Sequence, residues 1–177
     1  MQNGLSVLGR VVALAITVLL SACAGYSGSN LKPGVATLPE VMASMGEPAM
    51  RWKDDDGREQ LAYPRGPAGS QTFMVFIGKD GRLERIEGVL DMAHFARIEP
   101  GKSDKSSVLR LLGPSAPLRT QYYRLSNELA WEWRFCDGGS RLAFFDVMFD
   151  ASTGLVRTTY QRPDDSGRDS SPPFCGH

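Results

Sequence analysis

Histidine and cysteine are scarce in this chain: two and three residues among 177. Structural zinc sites draw four ligands from those types at close spacing, and no such spacing occurs here. Histidine-based acid–base catalysis would rest on His94 or His177 alone. The chain also lacks an excess of either charge, because 20 Lys+Arg balance 20 Asp+Glu. Nucleic acid is therefore excluded as a partner, since binding it requires a basic surface that displaces counterions. An apolar run of the ~20 residues that cross a bilayer as a helix is missing too. What remains is ordinary for a folded domain, with 42% hydrophobic and 23% charged residues. The length suits one domain or two small ones.

The apolar run that does exist is short. Val11 to Leu20 is interrupted only by Thr17 and preceded by Arg10. A positive start, a short apolar middle and small residues behind it predict a secretory signal over residues 1–22. Leu20, Ser21, Ala22 and Cys23 resemble the lipobox of bacterial lipoproteins. A thiol can accept a diacylglyceryl group, and small side chains before it admit the peptidase. The expectation is a mature chain that starts at Cys23 and is held on a membrane by lipid chains rather than by a spanning helix. Ala24 follows Cys23, so the aspartate of inner-membrane retention is missing and the outer membrane, periplasmic face, is the expected location. Residues 23–30 read as a flexible tether. Residues 163–177, rich in Asp, Ser, Gly and Pro, are expected to be a disordered tail.

Between them lies an internal repeat. Leu31-Lys-Pro-Gly34 recurs 67 residues later as Ile98-Glu-Pro-Gly101, and at that offset Val41, Met45 and Gly46 match Val108, Leu112 and Gly113. Leu61-Ala-Tyr63 resembles Leu129-Ala-Trp131, and Val75 to Leu83 resembles Met148 to Val156. Thr37-x-x-Glu40 is a capping-box pattern, Asp104 caps the second helix, and Gly46 and Gly113 stop the two helices. Phe73, Val75 and Ile77, then Trp131, Trp133 and Phe135, then Phe145, Val147 and Phe149 give period-two strands. In the second of these Glu132 and Arg134 form a wet face. The expected fold class is α+β: two tandem units, residues 31–90 and 98–161, each a short helix, or a helix pair, packed on a three- to four-stranded antiparallel sheet.

The Pro-Gly, apolar helix, Gly and aromatic-strand pattern, behind a lipobox, resembles the small outer-membrane lipoprotein family of the BamE (SmpA/OmlA) type. Two copies in tandem are similar to the architecture of the β-lactamase inhibitory proteins. The chain departs from the family pattern at Met45-Gly46 and at Gly113-Pro-Ser-Ala-Pro117. The resemblance implies a non-enzymatic binding or scaffolding role among envelope proteins, outer-membrane assembly included. Inhibition of a periplasmic or secreted enzyme is the alternative, by analogy of fold alone. A hydrolase is the least favoured reading.

The residues themselves offer little chemistry. Cys136 and Cys175 form an even pair once Cys23 is lipidated, and an oxidising compartment would join them. Gly101-Lys102-Ser103 lacks the upstream glycine of a phosphate loop. Lys53-Asp-Asp-Asp-Gly57 lacks the closing glutamate of a calcium loop and reads as a turn. No cofactor pattern is present. Glu132 and Arg134, with Asp146 near in sequence, are expected as a cross-strand charge pair. Trp52, Tyr63, Tyr122 and Tyr123 are the aromatics least committed to a core and are the candidate partner contacts.

Overall fold

The computed structural model describes residues 27–66, 69–115, 119–167 and 171–175. Leu20, Ser21, Ala22 and Cys23, and with them the signal and the first half of the tether, lie outside the described residues. Among the described residues no helix is long and apolar enough to cross a membrane.

Each half of the chain builds one four-stranded antiparallel sheet whose strands follow in chain order. The first comprises β1 (Met50–Lys53), β2 (Glu59–Arg65), β3 (Gln71–Ile77) and β4 (Leu83–Gly88), preceded by α1 (Leu38–Met45). The second comprises β5 (Thr120–Tyr123), β6 (Glu128–Cys136), β7 (Leu142–Asp150) and β8 (Val156–Pro163), preceded by α3 (Lys105–Leu112). A single-turn helix, α2 (Met92–Phe95), lies between the halves. The architecture is α+β with two sheets.

The halves match in detail. The Thr37 amide donates to the Glu40 side chain at 2.7 Å, and the Asp104 amide donates to the Ser107 side chain at 2.9 Å. Gly34 donates to the Leu83 carbonyl, and Gly101 to that of Val156. Thr37 bridges Arg82 as Asp104 bridges Leu155. The third and fourth strands of both sheets slip register at the corresponding place, Phe76/Ile77 and Met148/Phe149. Both helices end at a glycine with positive φ and extended ψ: Gly46 at 80° and −167°, Gly113 at 76° and −176°. That backbone region is essentially reserved for glycine.

Two buried clusters hold the fold. Val41 and Met45 of α1 join Leu61, Tyr63, Val75, Ile77 and Leu83. The opposite side of the first sheet, Ala62 and Met74, belongs to a larger cluster with Phe95, Val108, Leu112, Trp133, Phe145 and Phe149. Phe95 of α2 stacks on Phe145, centroids 3.9 Å apart, and meets Phe135 edge-on at 4.9 Å. The end of α3 bonds to both sheets: the Arg110 carbonyl accepts from Gln60, and that of Gly113 from the Trp133 indole.

The tail expected to be disordered over 163–177 is corrected where it is described. Pro163 ends β8, Asp164 is fully buried, and Phe174 bridges Arg141. Leu142 donates to the Pro173 carbonyl and Cys175 to that of Ser140. Cys136 and Cys175 are joined by a disulfide, 39 residues apart in the chain. The composition of the segment is polar, but one buried carboxylate and one covalent bond tie it to the second sheet.

Candidate functional site

The second sheet uses its two faces differently. One face of β6–β8 carries Trp133, Phe135, Phe145, Val147 and Phe149 into the larger cluster. On the other, cross-strand register aligns Glu132 with Asp146 and Tyr160, and Arg134 with Phe144 and Arg162. Directly paired residues in an antiparallel ladder share a face. All of these but Phe144 line a cleft of about 970 Å³. Arg119, just before β5, and Tyr123 line it too, as do Ala49 and Pro64 of the first half. Its volume falls at the upper end of the range typical of ligand pockets, ~300–1,000 Å³.

Charge is concentrated on that face and balanced within it. Glu132 accepts from Arg119 on one carboxylate oxygen and from Arg162 on the other. Arg162 also donates from Nε to Asp146 at 3.1 Å. Arg134 donates from Nε to Asp164 at 2.6 Å. The three guanidiniums gather round the Phe144 ring, with Arg162 at 4.3 Å, Arg119 at 4.4 Å and Arg134 at 6.0 Å from its centroid. A cation over an aromatic face is attracted by the ring quadrupole. The acids are the buried partners: side-chain exposure is 13% for Glu132, 6% for Asp146 and 0% for Asp164. The arginines reach outward, Arg119 at 29% and Arg162 at 41%.

Burial pushes the Asp146 carboxyl up to about 6, against the opposing pull of the Arg119 charge. Burial also pushes Asp164 up, but hydrogen bonds from Ser166 and Arg134 outweigh it and hold that carboxyl below its ordinary value. Two buried carboxylates of the second half are thus driven in opposite directions, one by desolvation and one by donors.

The sequence candidates scatter. Tyr123 and the pair Glu132 and Asp146 reach the cleft. Tyr122 is exposed on the edge strand β5, bonded to Asn127 at 2.9 Å. Tyr63 is corrected: it is fully buried against Leu61 and Val75, and its hydroxyl donates to the Gly46 carbonyl at 3.2 Å. Trp52 is half-buried against the larger cluster, with Arg110 5.8 Å above its ring. His94 lies away from the cleft, its Nδ1 2.8 Å from Asp91. Asp54 to Arg58 form a turn, closed by Asp54 donating to the Arg58 carbonyl. Among the described residues no group of three or more His, Cys, Asp or Glu side chains is placed to hold a metal ion.

The expected charge pair is also corrected. Glu132 faces another acid across the ladder, and Arg134 faces Phe144. Their ionic partners come from Arg119, Arg162 and Asp164. The face read as wet is half-buried, and Pro64 and Ala49 of the first half line the same cleft. Sequence reasoning missed Arg119, Arg162 and Tyr160. Its one available signal was the alternation of charge with aromatics in β6.

Comparison with protein-family models, with curated proteins and with solved structures returned no match.

Proposed function

We propose that the chain is a lipid-anchored lipoprotein on the periplasmic face of the outer membrane, where it binds other envelope proteins without catalysing a reaction. In this reading the two halves are copies of one BamE-like unit, each a short helix packed on its sheet. The anchor rests on Leu20, Ser21, Ala22 and Cys23. The binding role rests on one observation above all: a roomy cleft lined by arginine and tyrosine, Arg119, Arg162, Tyr123 and Tyr160. Those two residue types, with tryptophan, carry most of the binding energy where proteins meet.

Inhibition of an enzyme is a narrower form of the same role, with a single enzyme as partner. Hydrolysis is disfavoured by the pairing in the cleft. Both oxygens of Glu132 are taken by guanidiniums, which leaves it no oxygen for a substrate proton, and Arg162 holds one oxygen of Asp146. A general base needs a free oxygen within reach of the proton it takes.

Crosslinking in cells, followed by identification of what copurifies, tests the reading. Envelope assembly components are the expected capture, and one enzyme alone would move the reading to inhibition. No specific capture would overturn it. The anchor is tested separately: Cys23→Ser should move the protein from membrane to soluble fractions, and a variant still fully membrane-bound would defeat the lipid anchor.

A further inference from the structure

Arg119 and Arg162 are held side by side by a single carboxylate. Glu132 takes one guanidinium on each of its oxygens, and both guanidiniums lie over the Phe144 ring within 4.4 Å of its centroid. Buried acids that fix the rotamers of charged groups preorganise them for a ligand. Among the described residues, Nε and Nη2 of Arg119 and Nη1 of Arg162 have no hydrogen-bond partner. Both side chains keep a substantial exposed fraction, and both line the cleft. The guanidinium fork matches a carboxylate in two parallel bonds, and the match is planar.

We infer that the cleft takes a carboxylate carried on a partner polypeptide, seated against Arg119 and Arg162 from the side opposite Glu132. The inference rests on the protein-binding reading above and names what that partner presents. Three features favour it. The cleft holds far more than one carboxylate, so the acid arrives on a stem. Tyr123 and Tyr160 stand in the lining, where their rings can pack against that stem. The three arginines are matched by three acids, Glu132, Asp146 and Asp164. A single added negative charge is tolerated by such a balanced cluster far better than the double charge of phosphate, which would have to be desolvated there.

The test follows the side-chain Nε–H signals of Arg119 and Arg162 by proton–nitrogen correlation spectroscopy of the purified full chain. The probes are an N-acetylated, C-amidated glycine/leucine peptide with one central glutamate, its glutamine counterpart, acetate and inorganic phosphate. The glutamate peptide should shift both signals saturably. The glutamine peptide should bind at least ~10-fold more weakly, the loss expected for a charge-assisted hydrogen bond. Acetate, lacking the stem, should also bind at least ~10-fold more weakly. Arg119→Gln should lower affinity for the glutamate peptide by a similar factor, and Arg119→Lys by less, with near-ultraviolet circular dichroism reporting whether each variant folds. Should Arg119→Gln fail to fold, Arg162→Gln takes its place. Equal binding of the two peptides, or no saturable shift, overturns the inference. Acetate binding as tightly as the peptide would make this a site for small carboxylates, and phosphate doing so would make it a general anion site; either result also overturns it. The broader reading fails independently, when in-cell crosslinking captures no envelope protein.

Discussion

Glu132 and Asp146 face each other directly across the β6–β7 ladder, and Arg162 donates to both. Two like charges opposite one another destabilise a sheet unless a cation lies between them or one is neutral. Here the cation is present, and because burial pushes Asp146 up to about 6, the second remedy is added only below that pH.

That raised value fixes a direction of pH dependence. The Asp146 carboxyl is shifted upward from its ordinary 3.8, so the folded chain holds this proton where the unfolded chain has released it. Its contribution to stability is full below about 4 and is lost as pH rises to about 6. In Asp146→Asn the dependence is absent. The stability of wild type relative to the variant should therefore fall by on the order of 2 kcal/mol between pH 4 and pH 6.5. Urea unfolding at several pH values checks this, and a difference that rises with pH would contradict it.

The disulfide closes a loop of 39 residues around β7 and β8. Constraint of the unfolded chain by such a loop stabilises the fold by ~4 kcal/mol in the chain-entropy account. Cys175→Ser should lower Tm by on the order of 10 °C. Protease sensitivity should appear between Asp165 and Cys175 at the same time. Reduction of the wild type should reproduce both effects, and thiol titration without reductant should find neither Cys136 nor Cys175 reactive.

Gly46 and Gly113 occupy the same backbone region but differ in surroundings. A Cβ on Gly46 meets nothing within 4 Å, whereas one on Gly113 would lie 2.9 Å from Thr72 Cγ2 and 3.5 Å from Ala62. Gly46→Ala should cost about 1–3 kcal/mol from backbone strain alone. Gly113→Ala should cost more by at least ~1 kcal/mol, because methyl must be forced against a β-branched side chain. Denaturation midpoints of the two variants give the comparison directly.

Phe95 lies in the connector between the halves, yet it is 3% exposed and in ring contact with Phe135 and Phe145. Phe95→Ala should destabilise by about 3–5 kcal/mol, as for a large ring lost from a close-packed core. A loss below ~1 kcal/mol, read from urea unfolding, would show that the connector is peripheral.

The helices and their stops were legible because each signal is local. Thr37 and Glu40 are three residues apart, and Gly46 and Gly113 follow their helices at once. The strands were legible from alternation, and the likeness of the halves from matching segments kept in the same order. The short edge strands β1 and β5 are nearly invisible in that pattern, since four residues give too few alternations to stand out. The cleft was legible only at Tyr123, Glu132, Arg134 and Asp146. Arg119 and Arg162 are 43 residues apart in sequence, and their meeting on Glu132 depends on the register of two ladders that no short motif encodes. The composition of the tail suggested disorder, because composition does not register that Asp164 has a buried guanidinium waiting for it.

The end of α3 is bonded to Gln60 in one sheet and to Trp133 in the other, and Ala62 and Met74 share its apolar cluster. The two halves are consequently not modular. Excising either half would lay bare the apolar side of the other, so neither is expected to stand alone as a soluble fragment.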